Sequence, residues 1–369
     1  MSRHLPFQLF ACVQPVRGAR RNALVDLQRN NFHLVPDGLY EIVTTQHGKT
    51  IDEVKSAYDH QYDGMIGEYF DFMEREELIF YTSTPELFPR MDLRWEAPAQ
   101  ITNAIIDIDE GSAHDFNTIF VQIGELGCKS VQIRCFCARP LEYWERLMTA
   151  AGHSRVTSVE IVTAFHPDFD KRSLFDFCGK FPRVVIFTAH SAPVTKRIYG
   201  ARSGVGHIYY TRQSLDSASH CGVVLSDYFT INLRLFSESQ QYNSCLNRKI
   251  SIDANGDIKN CPSMTDSYGN IRNTLLKTAL AQPGFQKYWR ISKDRIDVCN
   301  ACEFRHICTD CRAYLENPDD IYSKPLKCGY NPYTCIWEDW STNPLKQKAI
   351  DHYNLQNLHP ELNMPEQYA

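Results

Sequence analysis

The 369-residue sequence contains no run of eighteen apolar residues, so nothing in it reads as a membrane-spanning helix. It has no surplus of positive charge. Its 39 Lys and Arg against 44 Asp and Glu give a formal net charge of −5, which lacks the basic field that non-specific nucleic-acid binding requires. It has no Gly-x-Ser-x-Gly elbow and no Gly-x4-Gly-Lys-Ser/Thr loop, which sets aside hydrolase and P-loop chemistry and leaves any ATP-dependent step to a partner. The opening MSRHLPFQLFACV carries an apolar patch too short for a signal-peptide core, with no small-residue cleavage site behind it. A cytoplasmic protein is therefore expected. Cysteine is what the chain does not lack: there are 14, unevenly spread. Six are scattered (Cys12, Cys128, Cys135, Cys137, Cys178 and Cys221), and eight fall between Cys245 and Cys335. A reducing compartment does not preserve four structural disulfides, so metal is the first reading of the eight.

At roughly 150 residues per domain the length suggests two or three domains. Residues 1–92 read as a small α+β unit. Apolar runs at 7–13 and 23–27 flank a basic turn with Arg17, Arg20 and Arg21, a hairpin signal, and 32–35 makes a third strand. A helix follows through Leu39 and Val43. Thr50 with Glu53 forms a capping box for the next, and a third begins near Met65. Residues 77–82 form a terminal strand and 84–90 a linker. The basic turn reads as a solvated tip or as a contact for an acidic peptide. Residues 93–238 hold a repeat, with apolar runs beginning near 101, 130, 157, 183 and 206 and helical stretches between the early ones. A period near 27 with strand followed by helix is the βα unit; five units fit a partial, open βα barrel rather than a closed one. The fold class expected is thus α/β, with a cysteine-rich domain over 239–345 and a tail over 346–369.

The spacing of the clustered cysteines carries the chemistry. Cys245 is followed by ten residues, Gly256, four residues and Cys261; then come Cys299-x2-Cys302-x5-Cys308-x2-Cys311, Cys328 and Cys335. Thiolates suit iron–sulfur clusters and zinc, and either takes four per site, so eight make two sites. Zinc knuckles usually stand a dozen or more residues apart. The five residues between these two CxxC pairs favour sharing them between two iron–sulfur clusters, with zinc as the alternative.

This pattern resembles the SPASM domain, the auxiliary-cluster module of many radical SAM peptide-modifying enzymes. It departs from the family in one place, the x2 between Cys308 and Cys311 where the family has x3. The resemblance implies two [4Fe-4S] clusters. One is held by Cys299, Cys302, Cys308 and Cys328. The other is held by Cys245, Cys261 and Cys311, with Cys335 as fourth ligand and Cys221 or His220 as its possible replacement. The stretches 302–314 and 323–335, with the N-terminal runs, look like the SPASM-domain maturase of grasp-with-spasm systems, a likeness covering nearly the whole chain. Such systems pair the protein with an ATP-grasp ligase and a ribosomally made precursor peptide. The order of elements in 1–92 resembles the PqqD-like winged-helix fold, which implies recognition of the peptide's leader by β-augmentation. Phe32 and Leu34 would edge the groove and Ile66, Tyr69, Phe70 and Met73 line it, or these side chains simply form the module's core.

The radical SAM signature itself is absent. No Cys-x3-Cys-x2-Cys occurs, and the loop where it would lie, residues 107–114, has no thiol. Where a Gly-Gly-Glu-Pro would receive the SAM amine, the chain reads Cys135-Phe-Cys-Ala-Arg-Pro140. The barrel thus resembles a degenerate radical SAM domain, and SAM is not expected as a cofactor. Cys135 and Cys137 are a remnant metal or redox pair, or small buried hydrophobes; Asp107, Asp109, Glu110 and His114 offer a hard-ion site, or are solvated loop groups. No catalytic residue is identified. The expected function is an iron–sulfur accessory in peptide maturation. Two alternatives stand beside it: a redox enzyme with a non-standard SAM site, and a zinc-stabilised peptide-binding scaffold.

Overall fold

The structure, a computed structural model, describes residues 3–198 and 206–358; the expected tail's residues 359–369 lie outside them. The chain begins with β1 (Phe7–Leu9), β2 (Val13–Val16), β3 (Asn22–Asp26) and β4 (Asn31–Val35). There follow α1 (Asp37–Thr45), α2 (Ile51–Ala57), α3 (Asp63–Arg75) and β5 (Ile79–Tyr81). β2, β3 and β4 form an antiparallel meander, and β1 pairs with β5. The expected hairpin is therefore built differently. Its first arm is Val13–Val16, and Phe7–Leu9 turns away to close the module against its last strand. Pro15 obscured this, since it has no ladder N–H to give; β2 tolerates it as an edge strand. The capping box at α2 is present, Thr50 Oγ accepting from the Glu53 N–H while Glu53 accepts from the Thr50 N–H. Phe7 and Phe70 meet edge-on at 5.0 Å in the module's core. Burying each such side chain contributes roughly 1.5–3 kcal/mol.

The second part of the fold is a sheet of eight strands. In chain order it comprises β6 (Asn103–Ile108), α4 (Phe116–Glu125), β7 (Ser130–Ala138), α5 (Leu141–Ala151), β8 (Ser158–Ala164), α6 (Lys171–Lys180) and β9 (Val184–His190). β10 (Lys196–Ile198) and β11 (His207–Tyr210) follow. After α7 (Leu233–Ser239), which lies in another part of the fold, come β12 (Lys249–Ile252), β13 (Ile258–Lys259) and α8 (Leu276–Leu280). The strand order is β10-β11-β9-β8-β7-β6-β12-β13. The six inner strands run parallel and only the two edges antiparallel. Asp115 and Asp170 cap α4 and α6 by accepting N–H bonds of the first turn.

Side chains alternate across this sheet. Ile106, Ile133, Ile161 and Phe187 join the buried residues of α4, α5 and α6 in one apolar cluster. Their neighbours Asp107, Arg134, Glu160 and Thr188 face the other way. Helices gathered on one side of a parallel sheet, with polar groups on the other, describe an open βα barrel rather than a doubly wound sheet. The five expected strands are there, and a sixth parallel one, β12, lies within the cysteine-rich stretch and pairs with β6.

The remainder has little regular structure: β14 (Tyr330–Asn331), β15 (Ile336–Trp337) and α9 (Gln347–His352), joined by turns. The described chain divides into two compact units. One holds the residues through Trp95, Val224–Ser244 and those from Ile291 onward; the other holds Glu96–Val223 and Cys245–Arg290. Among the described residues no helix is long and apolar enough to cross a membrane.

Candidate functional site

In the first unit, Cys299, Cys302, Cys308 and Cys328 are gathered by tight local geometry. Val298 takes a left-handed φ of +65° and turns the chain into the Cys299–Ala301 turn, where the Cys302 N–H donates to the Cys299 carbonyl at 3.0 Å. The Cys308 N–H donates to the Phe304 carbonyl at 3.0 Å, and Cys328 bridges to Val224. Among these thiols sits the ammonium of Lys293, 4% exposed. Burial pulls that ammonium down, yet the charges of Cys308, Cys299, Asp310 and Cys328 outweigh it and hold it above its ordinary value. Asp310 is 3.9 Å from Lys293 and is itself gripped by Arg312 at 2.7 Å and Asn243 at 2.5 Å. Burial pushes the Cys299 thiol up to about 11 and the Cys308 thiol up to about 12. Three buried thiols, Cys299, Cys308 and Cys328, about a buried ammonium, with the half-buried Cys302 one turn from Cys299, form a donor set suited to an anionic thiolate cluster, because a desolvated cation needs anionic company.

Cys335 lies in the β14–β15 turn at φ +60° and packs in the apolar cluster that also holds Cys302, Cys308 and Cys328. Cys311 packs beside the cluster of Tyr314, Leu326 and Trp340. Cys245 and Cys261 lie in the second unit. Lys249 Nζ approaches Cys245 Sγ at 3.4 Å. The Cys261 thiol is pushed up to about 12, first by burial and then by the charges of Cys221 and Cys245. Gly256 of the Gly-x4-Cys motif turns β12 into β13 at φ +90°, where a Cβ would meet Asn270 at 3.0 Å. Among the described residues no three His, Cys, Asp or Glu side chains converge closely enough for a single metal ion. A four-iron cluster asks for something looser, since each thiolate binds a different iron.

Spacing alone gave no sign of the anchor beneath the first thiol set. Glu303 is fully buried, accepting from Arg21 Nε at 2.7 Å and from the Tyr330 hydroxyl at 2.5 Å. The Ala19 N–H donates to the Ala301 carbonyl at 2.8 Å, and Arg305 donates to the Arg17 carbonyl. The β2–β3 turn therefore braces the thiol-bearing segment through Arg21 and its own backbone, while the Arg17 and Arg20 side chains are exposed.

In the N-terminal module, Ile66, Phe70 and Met73 are in the core, and Tyr69 is half-buried. Phe32 and Leu34 face the other way, into the cluster of Phe304 and Cys308. β4 is an edge of the meander. Between that edge and α3, His33 meets the Phe72 ring at 5.7 Å and Glu76 at 4.0 Å. The 3.6-residue pattern singled out the buried stripe of α3 and so passed over Phe72. A separate cavity of about 820 Å³, lined by Phe10, Tyr40, Val43, His47, Phe88 and Arg90 among others, opens beside β2.

In the second unit, Asp107 is committed to Arg134 by two 2.7 Å hydrogen bonds, His114 contacts the Asp107 carbonyl at 2.8 Å, and Asp109 holds its own turn through Ser112 and Gly111. Glu110 is exposed. Cys135 and Cys137 stand with sulfurs 3.6 Å apart; Cys135 is buried in the helix-facing cluster and Cys137 packs against it.

No protein-family model matches the chain. No curated protein matches either. Among solved structures, that of Streptococcus suis SuiB bound to S-adenosylmethionine aligns with a TM-score of 0.36 and 10% identity, over 86% of this chain and 98% of that one. A second SuiB structure gives 0.34 and 12%, over 88% and 98%. SuiB bound to the precursor peptide SuiA gives 0.33 and 11%, over 86% and 98%. Resemblance at this level assigns neither a fold nor a function.

Proposed function

We propose that this protein serves the maturation of a ribosomally synthesised peptide, holding the precursor's leader on its N-terminal module and carrying two [4Fe-4S] clusters, with an ATP-grasp ligase as partner. The observation that carries the reading is the gathering of Cys299, Cys308 and Cys328 about the buried Lys293 ammonium, with Cys302 held one turn from Cys299. Those four thiolates would hold one cluster; Cys245 and Cys261, with Cys311 and Cys335 as the resemblance to the SPASM domain implies, would hold the second. When bound, such a cluster supplies a rigid cross-link among loops and a one-electron couple. The chain's own part is to desolvate the thiolates and offset their charge with Lys293. The leader would add as a strand to the free edge of β4, its side chains meeting His33, Tyr69 and Phe72 beside α3.

Iron and sulfide quantitation on anaerobically purified protein tests the clusters: about eight of each per chain are expected. A colourless protein with about two zinc ions would replace that reading with a zinc scaffold. The accessory role is tested by mass spectrometry of the precursor co-expressed with and without this protein and the ligase. A water loss needing both supports it; a loss of two hydrogens needing this protein alone makes it an oxidoreductase instead.

A further inference from the structure

We infer that Cys221 is a ligand of the cluster that Cys245 and Cys261 begin, in the place the family resemblance gives to Cys335. The inference rests on the iron–sulfur reading above and sharpens one of its two sites. Cys221 stands 24 residues before Cys245, outside the spacing that marks the cysteine-rich stretch, and the sequence offers it, with His220, only as an alternative to Cys335.

The fold brings it in through one carbonyl. The Ala218 oxygen accepts the Cys221 N–H at 3.1 Å and the Ser263 hydroxyl at 3.1 Å, so the turn that carries Cys221 is fastened to the turn that follows Cys261. A second clamp joins Cys261 to Cys245. The Asn260 side-chain amide donates to the carbonyls of Lys249 at 2.7 Å and Leu246 at 3.3 Å, holding the residue before Cys261 over the turn after Cys245. The turns that carry Cys221 and Cys245 are thereby each clamped to the turn that carries Cys261, all within the second unit.

The Lys249 ammonium lies against this site, 3.4 Å from Cys245 Sγ. Three thiolates with an ammonium at hand repeat the chemistry of the Lys293 set: soft anionic donors whose combined charge is offset from within the protein. Cys335, by contrast, packs among Cys302, Cys308 and Cys328 of the Lys293 set.

The test uses the wild-type chain, purified without oxygen. Cys221 is exposed, so its thiol would be freely alkylated unless ligated. Iodoacetamide followed by peptide mapping should modify Cys221 in less than about a tenth of loaded molecules and in nearly all molecules stripped of iron by chelator and oxidant. Loaded protein with about eight irons whose Cys221 alkylates as readily as in stripped protein overturns the assignment alone. Cys221→Ser should lose about four of the eight irons, or alter one of two cluster signals in electron paramagnetic resonance, while Cys12→Ser leaves both unchanged. A Cys221→Ser protein with full iron and both signals intact overturns it too. Wild-type protein without iron and sulfide overturns the cluster reading itself, and this assignment with it.

Discussion

Glu303 shows how one side chain can organise its surroundings from a distance in sequence. Its carboxylate is fully buried, and its hydrogen-bonded cation, Arg21, lies 282 residues away. The guanidinium also stacks over the Phe304 ring, 5.8 Å from its centroid. Arg21→Ala would leave the carboxylate desolvated with only the Tyr330 hydroxyl for company. A loss of about 2 kcal/mol is expected, moderated because the arginine is a third exposed. Urea unfolding of loaded protein measures it, and Arg21→Lys should recover little, since an ammonium cannot reproduce the guanidinium's fork. A basic turn read in isolation gives no hint of this, because the deciding partner is remote. His190 sets a dependence on pH. Burial is the main cause that lowers its imidazole below the ordinary 6.5, with His220 acting in the same sense against the Cys135 carbonyl and Asp216. The unfolded chain therefore takes up this proton first as pH falls. The stability His190 contributes is full above about 6.5 and drains below it, until the folded state protonates too, with a slope of at most about 1.4 kcal/mol per pH unit. His190→Gln should flatten the fall between pH 6.5 and 5 in unfolding titrations; an unchanged slope would assign it to other groups.

Elements were legible in the sequence where a local rule decides them and obscure where a partner does. The Thr50–Glu53 box was plain from four residues, and Thr50→Ala should cost about 1 kcal/mol and speed amide exchange in α2 before other helices. The parallel strands were legible because their apolar runs repeat with helices between them. β12 was not, because it falls inside the cysteine pattern and finds β6 across some 140 residues of chain. The buried Asp107–Arg134 pair ties β6 to β7, and here geometry makes a sharper forecast than composition. Asp107→Asn strands a guanidinium in a desolvated setting and should cost about 3–5 kcal/mol in thermal or urea unfolding. Replacing both residues, Asp107→Leu with Arg134→Met, should cost far less than the single change, because no orphaned charge remains. The candidate sites divide in the same way. Thiol spacing made the ligand types legible and left Cys221 as an alternative to Cys335, whereas their lysine partners emerged only from the folded chain.

At the scale of the whole molecule, the two units differ in what supports them. The parallel sheet has a large apolar core of its own. From Ile291 to Trp337 the chain has turns, two strands of two residues, and several buried charged groups. Removing metal with a chelator should therefore raise amide exchange across residues 293–335 by well over about tenfold while β6 to β9 stay protected. Uniform protection before and after chelation would mean that the loops stand without metal. The path of the backbone through the two units has one more consequence, which concerns order in time. The chain enters the first unit, leaves after Trp95, returns for Val224–Ser244, leaves again, and completes it only from Ile291. A ribosome adding roughly 5–20 residues per second needs some 15–55 seconds to travel from Arg21 to Glu303. Throughout that interval the N-terminal module exists without the segment it braces, while the parallel sheet gathers strand by strand as it emerges. The N-terminal module is thus made well before the segment it braces, and the thiols proposed as ligands come together only once that segment has emerged.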